Sequence, residues 1–228
     1  TPVVRLSDGY LANGSEPWRI PELSELPDID PAFATSTNHG SGDADDPAEF
    51  WPYLREEETL ARPWAIPGTP GLEHRIGGIE KEDGSGNISY DPENHGRMTA
   101  LRAAKVAGIA NDIPDVELRG DVDDAEILVI GWGSTWGAIS GAVDRVRDKG
   151  RKVVQAHLMH LNPFPKDLGD ILKRYDAVMI PEMNLGQLSL LIRAKYLVDV
   201  VGYNQVNVMP LKAAELADAI TDLIEEVA

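Results

Sequence analysis

The stretch that decides the fold runs Glu126-Ile-Leu-Val-Ile-Gly-Trp-Gly-Ser-Thr-Trp-Gly137. Its apolar run, Ile127 to Ile130, stops at a glycine. A helical pattern follows from about Ser134 to Asp148 and closes at Lys149-Gly150. An apolar strand without polar alternation is buried on both faces, and a glycine after the last basic residues is a common helix stop. The pattern then repeats. Lys152-Val-Val-Gln-Ala156 is a strand, and Leu168 to Tyr175 a short helix with Lys173 and Arg174 in its last turn, as the helix dipole favours. Asp176 to Ile180 is a strand and Leu185 to Tyr196 a helix. Val198–Val201 and Gln205–Val208 read as two close-spaced strands. Leu211 to Val227 is a terminal helix with Leu216, Ile220 and Leu223 on one face. Residues 126–228 are therefore expected to form an α/β domain, a mostly parallel sheet in three layers. Such sheets meet ligands beyond the carboxyl ends of their strands, which singles out the loops 131–136, 157–165 and 181–186.

Upstream of this block the pattern changes. Residues 1–125 carry 25 acids and 10 bases, whereas residues 126–228 carry 13 and 11. Ten of the 16 prolines fall in the first 70 residues. Val3-Val4-Arg5-Leu6 reads as a short strand and, with residues 7–13, as the end of something upstream. Residues 14–125 read as a long irregular, proline-rich arm (Pro17-Trp18, Phe50-Trp51-Pro52, Pro63-Trp64) followed by a hairpin and a linking helix. Three of the five tryptophans lie in the arm, which favours docking over disorder. The hairpin spans Ile76 to Tyr90 around Asp83-Gly84-Ser85-Gly86-Asn87. Asp91 before Pro92 is a strong helix start, and Met98, Leu101, Val106 and Ile109 carry that helix to about Asn111, before Pro114.

Composition excludes several classes. The 228 residues hold 21 Lys and Arg against 38 Asp and Glu, a net charge of -17, so nucleic acid and anionic membrane are repelled. With no cysteine the chain has no disulfide, no thiolate nucleophile and no thiolate-ligated zinc or iron–sulfur cluster. No apolar run approaches the roughly 20 residues of a membrane span, and no signal peptide is apparent. A soluble, cytoplasmic protein is expected. The start at Thr1 without Met is read as that of a fragment.

No catalytic constellation closes from the residues. Gly131, Gly133 and Ser134 sit between a strand and a helix, where a dinucleotide fingerprint would lie. Trp136 occupies its third glycine position, and no acid ends the next strand. An anion at this helix start and a glycine-dependent tight turn both remain open. His157 and His160 have Asp167 as the only acid within reach and no cysteine or paired carboxylate to complete a metal site, and their loop reads as interfacial. His74 and Arg75 suit either an anion or a structural ion pair, for instance with Glu73. Asp43, Asp45 and Asp46, and Glu56 to Glu58, read as solvated faces.

Specific stretches do resemble a known family. Ile130–Gly137, His157-Leu-Met-His-Leu-Asn-Pro-Phe-Pro165 and Pro181-Glu-Met-Asn-Leu-Gly-Gln-Leu188 are similar to the α subunit of 2-oxoacid:ferredoxin oxidoreductases, the 2-oxoglutarate type in particular. Pro67–Arg75, Ser89–His95 and Leu6–Tyr10 fit as well, the last resembling the close of a pyrimidine-binding domain. The resemblance implies an enzyme using thiamine diphosphate and magnesium, passing an acyl group to coenzyme A and electrons through an iron–sulfur cluster to ferredoxin. It also implies that residues 126–228 resemble the C-terminal domain of transketolase, a structural and interfacial part. The family's catalytic glutamate and substrate-gripping threonine and arginine lie upstream of the matched part. Its magnesium motif and cluster cysteines belong to a β subunit. The chain alone is thus expected to be inactive and to bind no cofactor, with the β subunit, a second α subunit and, through β, ferredoxin as partners. Gly131, Gly133, Ser134, His74, Arg75, His157, His160 and Asn184 are its candidate anion or interface residues, and no catalytic or metal residue is assigned. The rival reading is a free-standing nucleotide- or anion-binding module using the Gly131–Gly137 loop.

Overall fold

The computed structural model describes residues 3–15, 19–28 and 31–227. Pro17 and Trp18, read above as part of the arm, lie outside them. In chain order the helices and strands are α1 (Gly9–Ala12), α2 (Pro92–Gly108), β1 (Leu118–Gly120), β2 (Ile127–Trp132), α3 (Trp136–Asp148), β3 (Val153–Leu158), α4 (Leu168–Leu172), β4 (Ala177–Glu182), α5 (Gln187–Tyr196), β5 (Val200–Asn204) and α6 (Ala213–Val227). They fall into two compact units, Thr1–Ser15 with Ala110–Ala228, and Glu16–Ile109.

The first unit is a five-stranded sheet in the order β1-β3-β2-β4-β5, parallel except for β1. Alternation along β2 builds a core on each face. Ile127 and Val129 pack with Ile139, Val143 and Val146 of α3 and with Leu216, Ile220 and Ile224 of α6. Leu128 and Ile130 pack with Leu168, Ile171 and Leu172 of α4 and with Leu188 and Ile192 of α5. Each of these buried side chains stabilises the fold by about 1.5–3 kcal/mol. The expected three-layer, mostly parallel α/β fold is the one formed. From β2 the chain moves to β3 on one side through α3, then back across to β4 through α4. The order of connection reverses at β2, so the crevice of this sheet opens at the carboxyl ends of β2 and β4.

Several local expectations are corrected. Val3 to Leu6 forms no strand, and Val3, Val4 and Leu6 stay exposed because no strand among the described residues pairs with them. Residues 3–15 instead belong with the sheet unit. The sheet's edge strand is Leu118–Gly120, antiparallel to β3, and the compact unit takes in Ala110–Ala228 as well as Thr1–Ser15. Only one strand follows α5. Gln205 N–H donates to the Glu182 carbonyl at 2.9 Å, and the chain then leaves the sheet through Val208 at φ 58°.

The second unit has little regular structure, and its Phe50, Leu72 and Met98 are buried. The arm is therefore folded upon itself. His39 stacks on Trp51 with ring centres 3.3 Å apart, and Trp51 packs where Gly84, at φ +80°, leaves room that a Cβ would fill. The hairpin reduces to a turn with one bridge, Lys81 to Ile88, since Ile79 and Ile88 have no apolar face to bury against. Asn94 ties this turn to α2, donating to the Lys81 carbonyl at 2.9 Å and accepting from Asp83 N–H at 3.1 Å. Asp91 caps α2 as its position before Pro92 predicts, accepting from Glu93 and Asn94 N–H at 3.0 and 3.4 Å.

Candidate functional site at the carboxyl ends of the strands

After β2 the backbone makes one tight turn, Gly133–Thr135, before α3 begins. The buried Thr135 hydroxyl holds it, donating to the Trp132 carbonyl at 2.8 Å and accepting from Trp132 N–H at 3.1 Å. Gly131 lies opposite His157 on β3, and a Cβ there would stand 2.5 Å from Ile139 Cδ1, 2.9 Å from Thr135 Oγ1 and 3.1 Å from His157 Nδ1. Gly133 sits at φ +58° with open space around it. Both glycines thus serve packing and the turn. Ser134 hydrogen-bonds to the Asp8 carboxylate, which brings the N-terminal segment to the end of β2.

His157 is half-buried, its Nδ1 enclosed and without a hydrogen-bond partner among the described residues. Burial pushes the imidazole below its ordinary pKa, and a backbone hydrogen bond with Gly133 opposes this only partly. The ring is therefore held neutral. His160 is exposed, and among the described residues no cluster of three His, Asp or Glu side chains suits a metal ion.

The end of β4 is built more tightly. Glu182 is wholly buried, and its carboxylate accepts from Leu188 N–H at 2.9 Å, Ser189 N–H at 3.0 Å and the Ser189 hydroxyl at 2.9 Å. Asn184 Oδ1 accepts from Gly186 and Gln187 N–H at 2.8 and 2.9 Å. The first amides of α5, where an external anion would bind, are thus taken by the chain's own oxygens. Asn184 acts here as a cap.

The structure brings Gly131, Gly133, Ser134 and His157 together at the ends of β2 and β3, with Asn184 at the end of β4. His74 and Arg75 belong to the other unit. His74 Nδ1 pairs with the Leu72 carbonyl at 2.8 Å and its ring leans on Phe50, while Arg75 makes no ion pair among the described residues. Asp43 and Asp46 do more than face solvent, since they accept hydrogen bonds from Ser41 within one turn. The residues that sequence reasoning missed are Asp8 and Glu182. Glu182 left one signal, a carboxylate closing an apolar strand just before an Asn-x-Gly turn into a helix.

Residues 125–210 match the family described as pyruvate:ferredoxin oxidoreductase core domain II. The chain is 53% identical over 217 residues to the 2-oxoglutarate oxidoreductase subunit KorA of Mycobacterium tuberculosis, covering 95% of this chain and 31% of that protein. It is 31% identical over 231 residues to the α subunit of 2-oxoacid:ferredoxin oxidoreductase 2 of Aeropyrum pernix, covering 99% and 34%. A solved structure of 2-oxoglutarate:ferredoxin oxidoreductase from Magnetococcus marinus, with 2-oxoglutarate, coenzyme A and succinyl-CoA bound, superposes with a TM-score of 0.71 at 28% identity, over 83% of this chain and 32% of that one. The chain spans about a third of the length of these relatives. With a sheet of matching fold and 53% identity to one of them over 217 residues, the chain is a relative of the 2-oxoacid:ferredoxin oxidoreductase α subunits, and residues 125–210 match their core domain II.

Proposed function

We propose that the chain is a structural and interfacial part of an α subunit in a thiamine diphosphate-dependent oxidoreductase that converts 2-oxoglutarate and coenzyme A to succinyl-CoA and carbon dioxide, reducing ferredoxin. The observation that carries this is 53% identity to a 2-oxoglutarate oxidoreductase subunit across 95% of the chain. The residues present do not fit the cofactors themselves. No cysteine exists to ligate a cluster, and among the described residues no carboxylate or histidine set suits magnesium. In this reading a partner β subunit holds those groups and contacts ferredoxin, and a second α subunit completes the assembly. The sheet unit supports the subunit contact made by the loops after β2, β3 and β4, including His160 and the exposed Trp136 and Met159. Trp136, Met159 and Leu185 there are exposed apolar side chains, as interface centres are.

The test is to express the full reading frame containing this chain with its partner subunit and to assay electron-acceptor reduction. We expect reduction that needs 2-oxoglutarate, coenzyme A and thiamine diphosphate together. Activity with another 2-oxoacid alone would correct the substrate. A complex that neither forms nor reduces the acceptor would overturn the reading.

A further inference from the structure

We propose that Arg55, Arg62 and Lys105 form a binding site for a small, multiply charged oxyanion of the phosphate class in the Glu16–Ile109 unit. Two guanidinium groups share one aromatic ring. The central carbon of Arg62 lies 4.2 Å from the ring centre of Tyr53, and that of Arg55 lies 5.7 Å away. Arg55 is held in place by Asp83 at 2.9 Å, with its side chain only 10% exposed. Asp83 also takes Arg97 at 2.9 Å, and Arg102, whose charge acts on Arg55, reaches Glu80 at 3.5 Å. Arg55 and Arg97 thus share Asp83, and Arg102 shares Glu80 with His95. Arg55 Nη1 also lies 3.8 Å from Met98 Sδ on α2, and Arg102 and Lys105 follow Met98 at i+4 and i+7, on the same face of that helix. Arg62 and Lys105 have no ion pair or hydrogen bond among the described residues.

This grouping runs against the composition of its unit. Residues 16–109 hold 18 acids and 8 bases, yet five of the eight bases lie in this one patch. Burial and the charges of Arg62 and Arg55 together depress the Lys105 pKa, and burial and Arg62 depress that of Arg55 although Asp83 opposes them. The cations are therefore partly stripped of water and repel one another. An anion placed among them relieves both penalties. Guanidinium forks suit the paired oxygens of a phosphate, and the lysine adds a point charge. The acidity of the rest of the unit decides the size of the ligand. Beyond a Debye length of about 8 Å a long polyanion or acidic protein meets carboxylates, whereas a small anion feels only the patch. The patch does not depend on the activity proposed above and stands or falls apart from it.

The experiment is a calorimetric titration of the full chain with inorganic phosphate and, separately, glycerol 3-phosphate. Saturable binding at one site supports the proposal, and the tighter of the two probes identifies free phosphate or a phosphate ester as the source. The Arg62→Ala/Lys105→Met double variant should bind at least about tenfold more weakly, while Arg19→Ala, which removes an exposed cation paired with Glu25 outside the patch, should bind as the parent does. If circular dichroism shows the double variant unfolded, Lys105→Met alone carries the comparison. Phosphate should also slow acylation of Lys105 and not of Lys173, read by mass spectrometry, since the anion raises the pKa of the lysine it meets. Absence of saturable binding, equal protection by chloride at matched ionic strength, or unchanged affinity in the variants would each overturn the site. Binding of polyglutamate without binding of phosphate would overturn the small-anion reading in favour of an acidic polypeptide.

Discussion

Glu182 carries the sharpest residue-level expectation. Its carboxylate answers three donors at the start of α5, all inside the protein. Glu182→Ala strands them, and buried donors left unpaired cost more than a neutral hydrogen bond contributes. We expect a loss of about 3 kcal/mol in urea unfolding, with Glu182→Gln milder because one oxygen remains. A change within error in Glu182→Ala would show that water replaces the carboxylate. His157 gives a pH dependence whose sign is fixed. Its folded pKa lies below the ordinary 6.5, so the unfolded chain takes up a proton first as pH falls. Its contribution is complete above 6.5 and is lost as pH drops through that value toward the lower folded pKa. Stability of the parent chain should therefore fall more steeply below pH 6.5 than that of His157→Gln. Parallel curves would mean that the ring titrates as in water.

Elements differed in how far the sequence revealed them. β2, β3 and β4 are runs of apolar residues bounded by glycine or turns, and α2 is written in Asp91-Pro92, so local chemistry alone locates them. β1 was missed because Leu118-Arg-Gly120 is short and alternates only once, and its ladder to Val154–Ala156 is made with residues far along the chain. Conversely Val3–Leu6 and Gln205–Val208 have strand-like residues, yet among the described residues the first pairs with no strand and the second makes only the Gln205 bond to β4. The Asp8–Ser134 pair and the Glu182 amides were invisible for the same reason, since they depend on which distant backbone arrives. Gly120 offers a test at this scale. It sits at φ +119°, and a Cβ would fall 2.4 Å from the Val153 carbonyl oxygen. Gly120→Ala should release β1 from β3 and cost more than about 1 kcal/mol. Faster amide exchange confined to Leu118–Gly120 and its partners on β3 is the expected signature, and unchanged exchange rates would refute it.

For the whole molecule, charge is the first consequence. A net charge of -17 repels itself, and most of the ion pairs are exposed and individually weak. Moderate salt should raise the melting temperature by screening that repulsion. A fall would mean that the surface pairs outweigh the repulsion. The second consequence lies in connectivity. The sheet unit is assembled from Thr1–Ser15 and Ala110–Ala228, so residues 16–109 are an insertion within it. Asp8 meets Ser134 across 126 residues of chain. Closing a flexible loop of that length costs about 4 kcal/mol of chain entropy, a cost that falls if the intervening unit has already folded. During synthesis Asp8 leaves the ribosome long before Ser134 exists. The inserted unit, continuous in sequence, is complete when residue 109 emerges, so it can fold before the contact that must wait for Ser134.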